Sequence, residues 1–227
     1  MSVVDVVPIA LLGALLGLDV VTFPQAMISR PIVAATAAGA FIGNPMAGLT
    51  VGAVLELMAL GMLPFGASKY PEWGSASVVG GALYAAQLGD PPGALAGSVL
   101  AALITALASG WSMVRLRRLN ASRAAKERAA LDAGSASAIV GLQVFGLTGD
   151  FARGGIVTFI AMLIFRPVVS EVVARWGSDP TLSRSVVVTV GAAVAAGAIW
   201  KIFHSVPLAR VLFLGGFVLG VTLLVVR

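Results

Sequence analysis

Apolar residues fall into nine runs along the chain, at about 6–22, 31–43, 46–64, 76–88, 92–113, 136–148, 154–175, 185–203 and 207–226. The unbroken apolar stretches predict helices throughout. A bilayer core about 30 Å thick needs roughly 17–25 residues of helix to cross it, and 46–64, 92–113 and 154–175 are long enough. The runs at 31–43, 76–88 and 136–148 stop near 13 residues and fall short. They predict half-helices or re-entrant hairpins, whose ends must find protein or a wet cavity, or else tilted helices that continue across a polar break. The pattern leaves both open.

Composition turns this pattern into a class. Of 227 residues, 59% are hydrophobic and 11% charged, where soluble domains carry about 25% charged residues. Mean hydropathy is +1.00. The expectation is an all-α polytopic membrane protein with about seven to nine spanning or partly spanning helices, forming one transport domain over residues 1–227. The N-terminal MSVVDVVPIALLGALLGL lacks a basic leader and is expected to be a retained first helix. Net charge is +5, yet the basic residues lie between apolar runs, where they set orientation, so no nucleic-acid partner is implied. With no cysteine and a single histidine, disulfides, thiolate metal sites and His-rich metal motifs are excluded, and neither a metal nor a cofactor is expected.

Residues 114–134 differ from their surroundings. Arg115, Arg117, Arg118, Arg123, Lys126 and Arg128 stand against Glu127 and Asp132, which the positive-inside rule places in the cytoplasm. The segment reads as a linker between a first half, 1–113, and a second, 135–227, as two membrane repeats would require. It is either a docking surface for a soluble partner or anionic lipid, or a topology determinant alone.

The chemistry centres on Glu56, in VGAVLELMAL. Gly48, Gly52, Glu56 and Leu60 share one helical face, and small residues on that face let another helix approach, so the acid points into the bundle. Such a carboxylate must be protonated, paired with Arg30 or Lys69, or turned to a polar ligand in a wet cavity. Residues 61–77 then bring two prolines, three glycines, Phe65, Tyr70 and Trp73. A neutral sugar is held by polar groups on its hydroxyls and aromatic faces on its C–H surfaces, although Tyr70 and Trp73 equally suit an interfacial belt. A second polar cluster, Asp19, Gln25, Ser29 and Arg30, surrounds Pro24 and Pro31, and Pro24 is expected to interrupt a helix there. An interfacial turn with Arg30 at the headgroups is the other reading.

The stretch SRPIVAATAAGAFIGNPMAGLTVGAVLELMALGMLPFGAS resembles the membrane subunit IIC of the mannose-family sugar phosphotransferase system. The matching features are Arg30 and Pro31, Gly48 and Gly52, Leu55 and Glu56, and Gly66, with Phe151, Arg153 and Gly154 of GLTGDFARGG and the ending FLGGFVLG in the second half. The resemblance implies a subunit of the cell membrane that binds a hexose or related sugar beside a membrane subunit IID. Soluble IIA and IIB subunits would pass phosphate from phosphoenolpyruvate to the sugar through histidines of their own. It implies no catalytic residue in this chain, and His204 reads as an interfacial or packing residue. Glu56, Gln25, Asp19, Ser29, Arg30 and Trp73 are the expected substrate-binding residues. A self-sufficient ion-coupled secondary transporter with Glu56 as coupling site is the alternative. An intramembrane enzyme cannot be assembled from one histidine and scattered acids.

Overall fold

The computed structural model describes residues 5–61, 69–177 and 179–225. Phe65 and Gly66 lie outside the described residues. Helices account for all the regular structure described: α1 Val6–Leu18, α2 Pro31–Ile42, α3 Pro45–Ala59, α4 Trp73–Ala85, α5 Ala94–Lys126, α6 Arg128–Asp132, α7 Ala136–Arg175, α8 Pro180–Phe203 and α9 Ala209–Val225. Three of them, α5, α7 and α8, are long and apolar enough to cross a membrane. The fold is an all-helical polytopic membrane protein.

The short helix α4 forms the centre. Every residue from Gly74 to Ala85 is buried, and α1, α2, α3, α5 and α7 all pack on it. Its sequence, WGSASVVGGALYA, permits this because small side chains let several backbones close in together. A Cβ on Gly81 would run into the Ala35 carbonyl of α2. At 1.5 Å per residue, 13 residues make a helix of about 20 Å, too short for the bilayer core. The end of such a helix lies within protein, and its N-terminus needs partners there.

Helices α2 and α3 form a hairpin. Gly43 takes φ +95°, and its N–H and that of Asn44 bond back to Ala40 and Gly39, closing α2 with paired hydrogen bonds. The Asn44 side chain accepts from Ala47 N–H at 3.1 Å, and Pro45 opens α3. The glycine face of α3 lies on the backbone of α2: a Cβ on Gly52 would stand 2.9 Å from Ile32 Cα.

Two features of the sequence pattern take definite form in the structure. The runs at 136–148 and 154–175 are one continuous helix, α7, because the intervening polar residues Asp150 and Arg153 point inward without interrupting the backbone. The basic segment 114–134 is mostly helical, continuing α5 to Lys126 and adding α6, since Ala, Leu, Arg and Lys favour helix. Helix α1 also ends before Pro24, at Leu18, whose carbonyl accepts from both Thr22 and Phe23 N–H.

Large apolar side chains, among them Leu100, Leu107, Ile160, Val186 and Leu214, stay exposed on the outer faces of α5, α7, α8 and α9. This is a surface for lipid rather than water. The apolar stretch of α5 ends at Trp111, where the Arg115 guanidinium sits 4.5 Å from the ring centroid, an arrangement suited to a membrane boundary.

Candidate functional site

The turn between α1 and α2 is organised by Asp19. Its buried carboxylate accepts from Ala26 N–H at 2.6 Å, Ser29 N–H at 2.9 Å and Ser29 Oγ–H at 2.8 Å. Three donors on one carboxylate fix the course of residues 19–30, including Gln25 and Met27 at φ +58° and +61°. Non-glycine residues in the left-handed region persist only where the surroundings hold them.

That turn delivers Arg30 to the start of α2, and the α2–α3 hairpin brings Glu56 to meet it. One helical turn beyond Gly52, the Glu56 carboxylate pairs with the Arg30 guanidinium and also accepts from Ile32 N–H at 3.3 Å. A carboxylate at a helix N-terminus is favoured by the helix dipole as well as by the cation. Of the arrangements open to Glu56, the structure shows pairing with Arg30. The pair is not sealed off, since the side chains remain 20% and 34% exposed, acid and base respectively.

Asp19, Gln25, Ser29, Arg30 and Trp73 line one cavity of about 450 Å³, together with Tyr70. Five of the six residues singled out in the sequence therefore share a wall, and Glu56 adjoins it through Arg30. The volume lies within the roughly 300–1,000 Å³ of small-molecule sites. Gln25 spends one amide hydrogen bond on Val21 O, at 2.9 Å. Trp73 Nε1–H is buried with no hydrogen-bond partner among the described residues, a donor that a ligand oxygen could satisfy.

Behind Trp73 lies a charged network that sequence reasoning did not assemble. Glu72, fully buried, caps α4 by accepting from Ser75 N–H at 3.1 Å and from Ser75 Oγ–H, and it accepts from Ser109 Oγ–H of α5 at 2.6 Å. Its own N–H bonds to Ala106 O at 3.0 Å. Arg153 of α7 places Nη1 3.9 Å from Glu72 Oε2, donates to Ser109 Oγ at 2.7 Å, and donates from Nε to Asp150 at 2.8 Å. Thr22 donates to the other Asp150 oxygen. Two acids and one base are thus enclosed together, and Arg153 Nη2 has no partner among the described residues. The spacing of Asp150 and Arg153, one helical turn apart, was the available signal for that half. Nothing local marks Glu72.

His204 ends α8, its Nδ1 2.9 Å from Lys201 O. Among the described residues no group of three or more His, Asp or Glu side chains is placed to hold a metal.

Comparison with known proteins bears on this geometry. The profile of the family described as PTS system sorbose-specific IIC component matches residues 3–226. The fructose permease IIC component of Bacillus subtilis (strain 168) is 33% identical over 79 residues, 35% of this chain. The matched stretch is 29% of that permease, under a third of its length. Two solved structures share the fold, each covering 97% of this chain and 87% of its own. One is a membrane protein with TM-score 0.74 and 20% identity. The other, with TM-score 0.61 and 21% identity, belongs to the cryo-EM structure of the mannose transporter ManYZ in complex with microcin E492. At these identities the likeness is one of fold.

Proposed function

The chain belongs to the family of the PTS system sorbose-specific IIC component, and on that premise we propose that it is the sugar-translocating membrane subunit of a phosphoenolpyruvate-dependent phosphotransferase system. It works in the cell membrane with a second membrane subunit, IID, and with soluble IIA and IIB subunits that supply the phosphate. The substrate is a hexose or related sugar, the class to which the fructose and mannose named for its relatives belong.

The observation that carries this reading is the convergence of Asp19, Gln25, Ser29, Arg30 and Trp73 on one cavity. Trp73 and Tyr70 offer flat apolar faces to sugar C–H groups, while Trp73 Nε1–H, the Gln25 amide and the Arg30 guanidinium offer hydrogen bonds to hydroxyls. Asp19, saturated by its own loop, sets the position of Ser29 and Arg30. Glu56 takes part through Arg30, holding the guanidinium at the cavity edge. The ion-coupled carrier is less well supported, because the Glu56 carboxylate already faces a cation.

The test is equilibrium binding of radiolabelled mannose and fructose to the purified complex of this chain with its membrane partner. Trp73→Ala and Gln25→Ala should each weaken binding about tenfold or more, with assembly of the complex preserved. Unchanged affinity in both variants overturns the site. Uptake by this chain alone, driven by an ion gradient, overturns the phosphotransferase reading.

A further inference from the structure

We infer that a second cavity, between the basic C-terminal end of α5 and the start of α7, is an exit-side subsite for a neutral, not yet phosphorylated sugar. The inference rests on the sugar-binding reading of the first cavity and adds a second stopping place to it. The second cavity measures about 630 Å³, and Thr22, Arg117, Asn120, Gln143 and Asp150 are its polar lining. It is large enough for a small-molecule ligand.

The chemistry of the lining selects the ligand. Of the two charged groups in the wall, Asp150 is already paired with Arg153 and Thr22, and Arg117 already donates to Tyr70, so neither is set out to receive a phosphate. Asn120 and Gln143 carry amides, which both donate and accept and so match hydroxyl groups. Asn120 Oδ1 is buried with no hydrogen-bond partner among the described residues. A buried acceptor without a partner, on a residue of the cavity wall, is a group that a ligand hydroxyl can satisfy once the side chain turns to it. Uncharged polyols satisfy this set better than sugar phosphates or lipid headgroups do.

Position makes it an exit. Val21 belongs to the walls of both cavities. Tyr70, in the wall of the first, accepts a hydrogen bond from Arg117 in the wall of the second, and its ring centroid lies 4.9 Å from the guanidinium carbon. Thr22 bonds to Asp150 close by. The Tyr70–Arg117 contact therefore links the two walls and forms the partition, and parting it is the step that would join the cavities. The second cavity also begins at Met113, within the Trp111–Arg115 boundary of α5, where the basic residues start.

The experiment uses the full chain assembled with its membrane partner, in two arms. In cells carrying the whole system, Asn120→Leu/Gln143→Leu and, separately, Gly146→Leu should slow uptake of radiolabelled mannose or fructose about tenfold. Both should bind sugar in the first cavity with affinity within about twofold of the parent protein. Gly146→Leu fills the second cavity from α7 with Asn120 and Gln143 retained, its Cβ meeting Asn120 Nδ2 at an ordinary 3.5 Å, so it serves if the double variant fails to assemble. In the binding arm, Trp73→Ala should retain a weak class of sugar binding that disappears when Asn120→Leu/Gln143→Leu is added, and the corresponding sugar 6-phosphate should not compete for it. Undiminished uptake in the cavity-filling variants, or competition by the sugar phosphate, overturns the subsite while leaving the first cavity standing. Absence of any sugar binding by the parent complex overturns the reading of the first cavity and this one with it.

Discussion

Arg153 decides the electrostatics of the bundle interior. Glu72 and Asp150 are 0% and 2% exposed, and one guanidinium lies between the two carboxylates and serves both. Removing one partner of a buried ionic cluster is more damaging than never having built it, because the remaining charge is stranded. Arg153→Met should therefore cost about 3–5 kcal/mol, read as a fall in the midpoint of thermal unfolding of the purified protein in detergent. Adding Glu72→Gln should recover part of the loss, since one of the stranded charges goes with it. A double variant no more stable than Arg153→Met would remove Glu72 from the cluster. At this scale the sequence was readable where a residue's need was local. Glu56 inside an apolar run demanded a partner, and Arg30 was among those named. Glu72, between a proline and a tryptophan, looked like the rim of a loop, and its burial arises only when α5 and α7 close over it.

The α2–α3 hairpin converts a glycine spacing into one edge of the proposed site. Gly48 and Gly52 let α3 lie directly on the backbone of α2, and only at that separation does Glu56, one turn further on, reach Arg30 and Ile32 N–H. Gly48→Ala would drive its Cβ into the Ala35 carbonyl and should cost about 1–3 kcal/mol by overpacking. Because the clash at Ala35 and Gly39 pushes α3 away from the helix that begins at Arg30, sugar binding should fall along with stability, and Gly97→Ala, whose Cβ would meet Val169 side-chain atoms at an ordinary 3.4 Å, should leave both nearly unchanged. Binding that survives Gly48→Ala would separate the hairpin from the site. Runs of apolar residues located most of these elements, because a helix in a membrane has few ways to be anything else. At 136–175 they left two readings open, because polar residues signal either a break or an inward face. Only the surrounding helices settle which.

At the scale of the whole molecule, the two ends differ in charge, and this difference orients every cavity described. Helices α5 and α7 run antiparallel: the start of α5 meets the end of α7, where Trp176 packs on Gly93, and their other ends carry the second cavity between them. At that second end lie six basic residues of segment 114–134 against two acids, whereas the connection from α4 to α5, residues 86–93, holds Asp90 and no basic residue. On the function proposed above, the positive-inside rule assigns the α5–α7 end to the cytoplasm, where sugar leaving the second cavity would meet soluble phosphate donors. The chain has no cysteine, so single introduced cysteines report orientation cleanly. Ala133→Cys, on the exposed turn after α6, should react with a membrane-impermeant maleimide in inside-out vesicles and be silent in intact cells. Leu88→Cys, 93% exposed in the opposite connection, should show the reverse. Replacing Arg115, Arg118 and Arg123 with Gln halves the six basic residues without touching Arg117 at the partition, and it should produce a mixed population labelled from both sides. Labelling of Ala133→Cys from outside intact cells would invert the molecule, turn the second cavity into an entrance, and leave the sugar emerging on the side without phosphate donors.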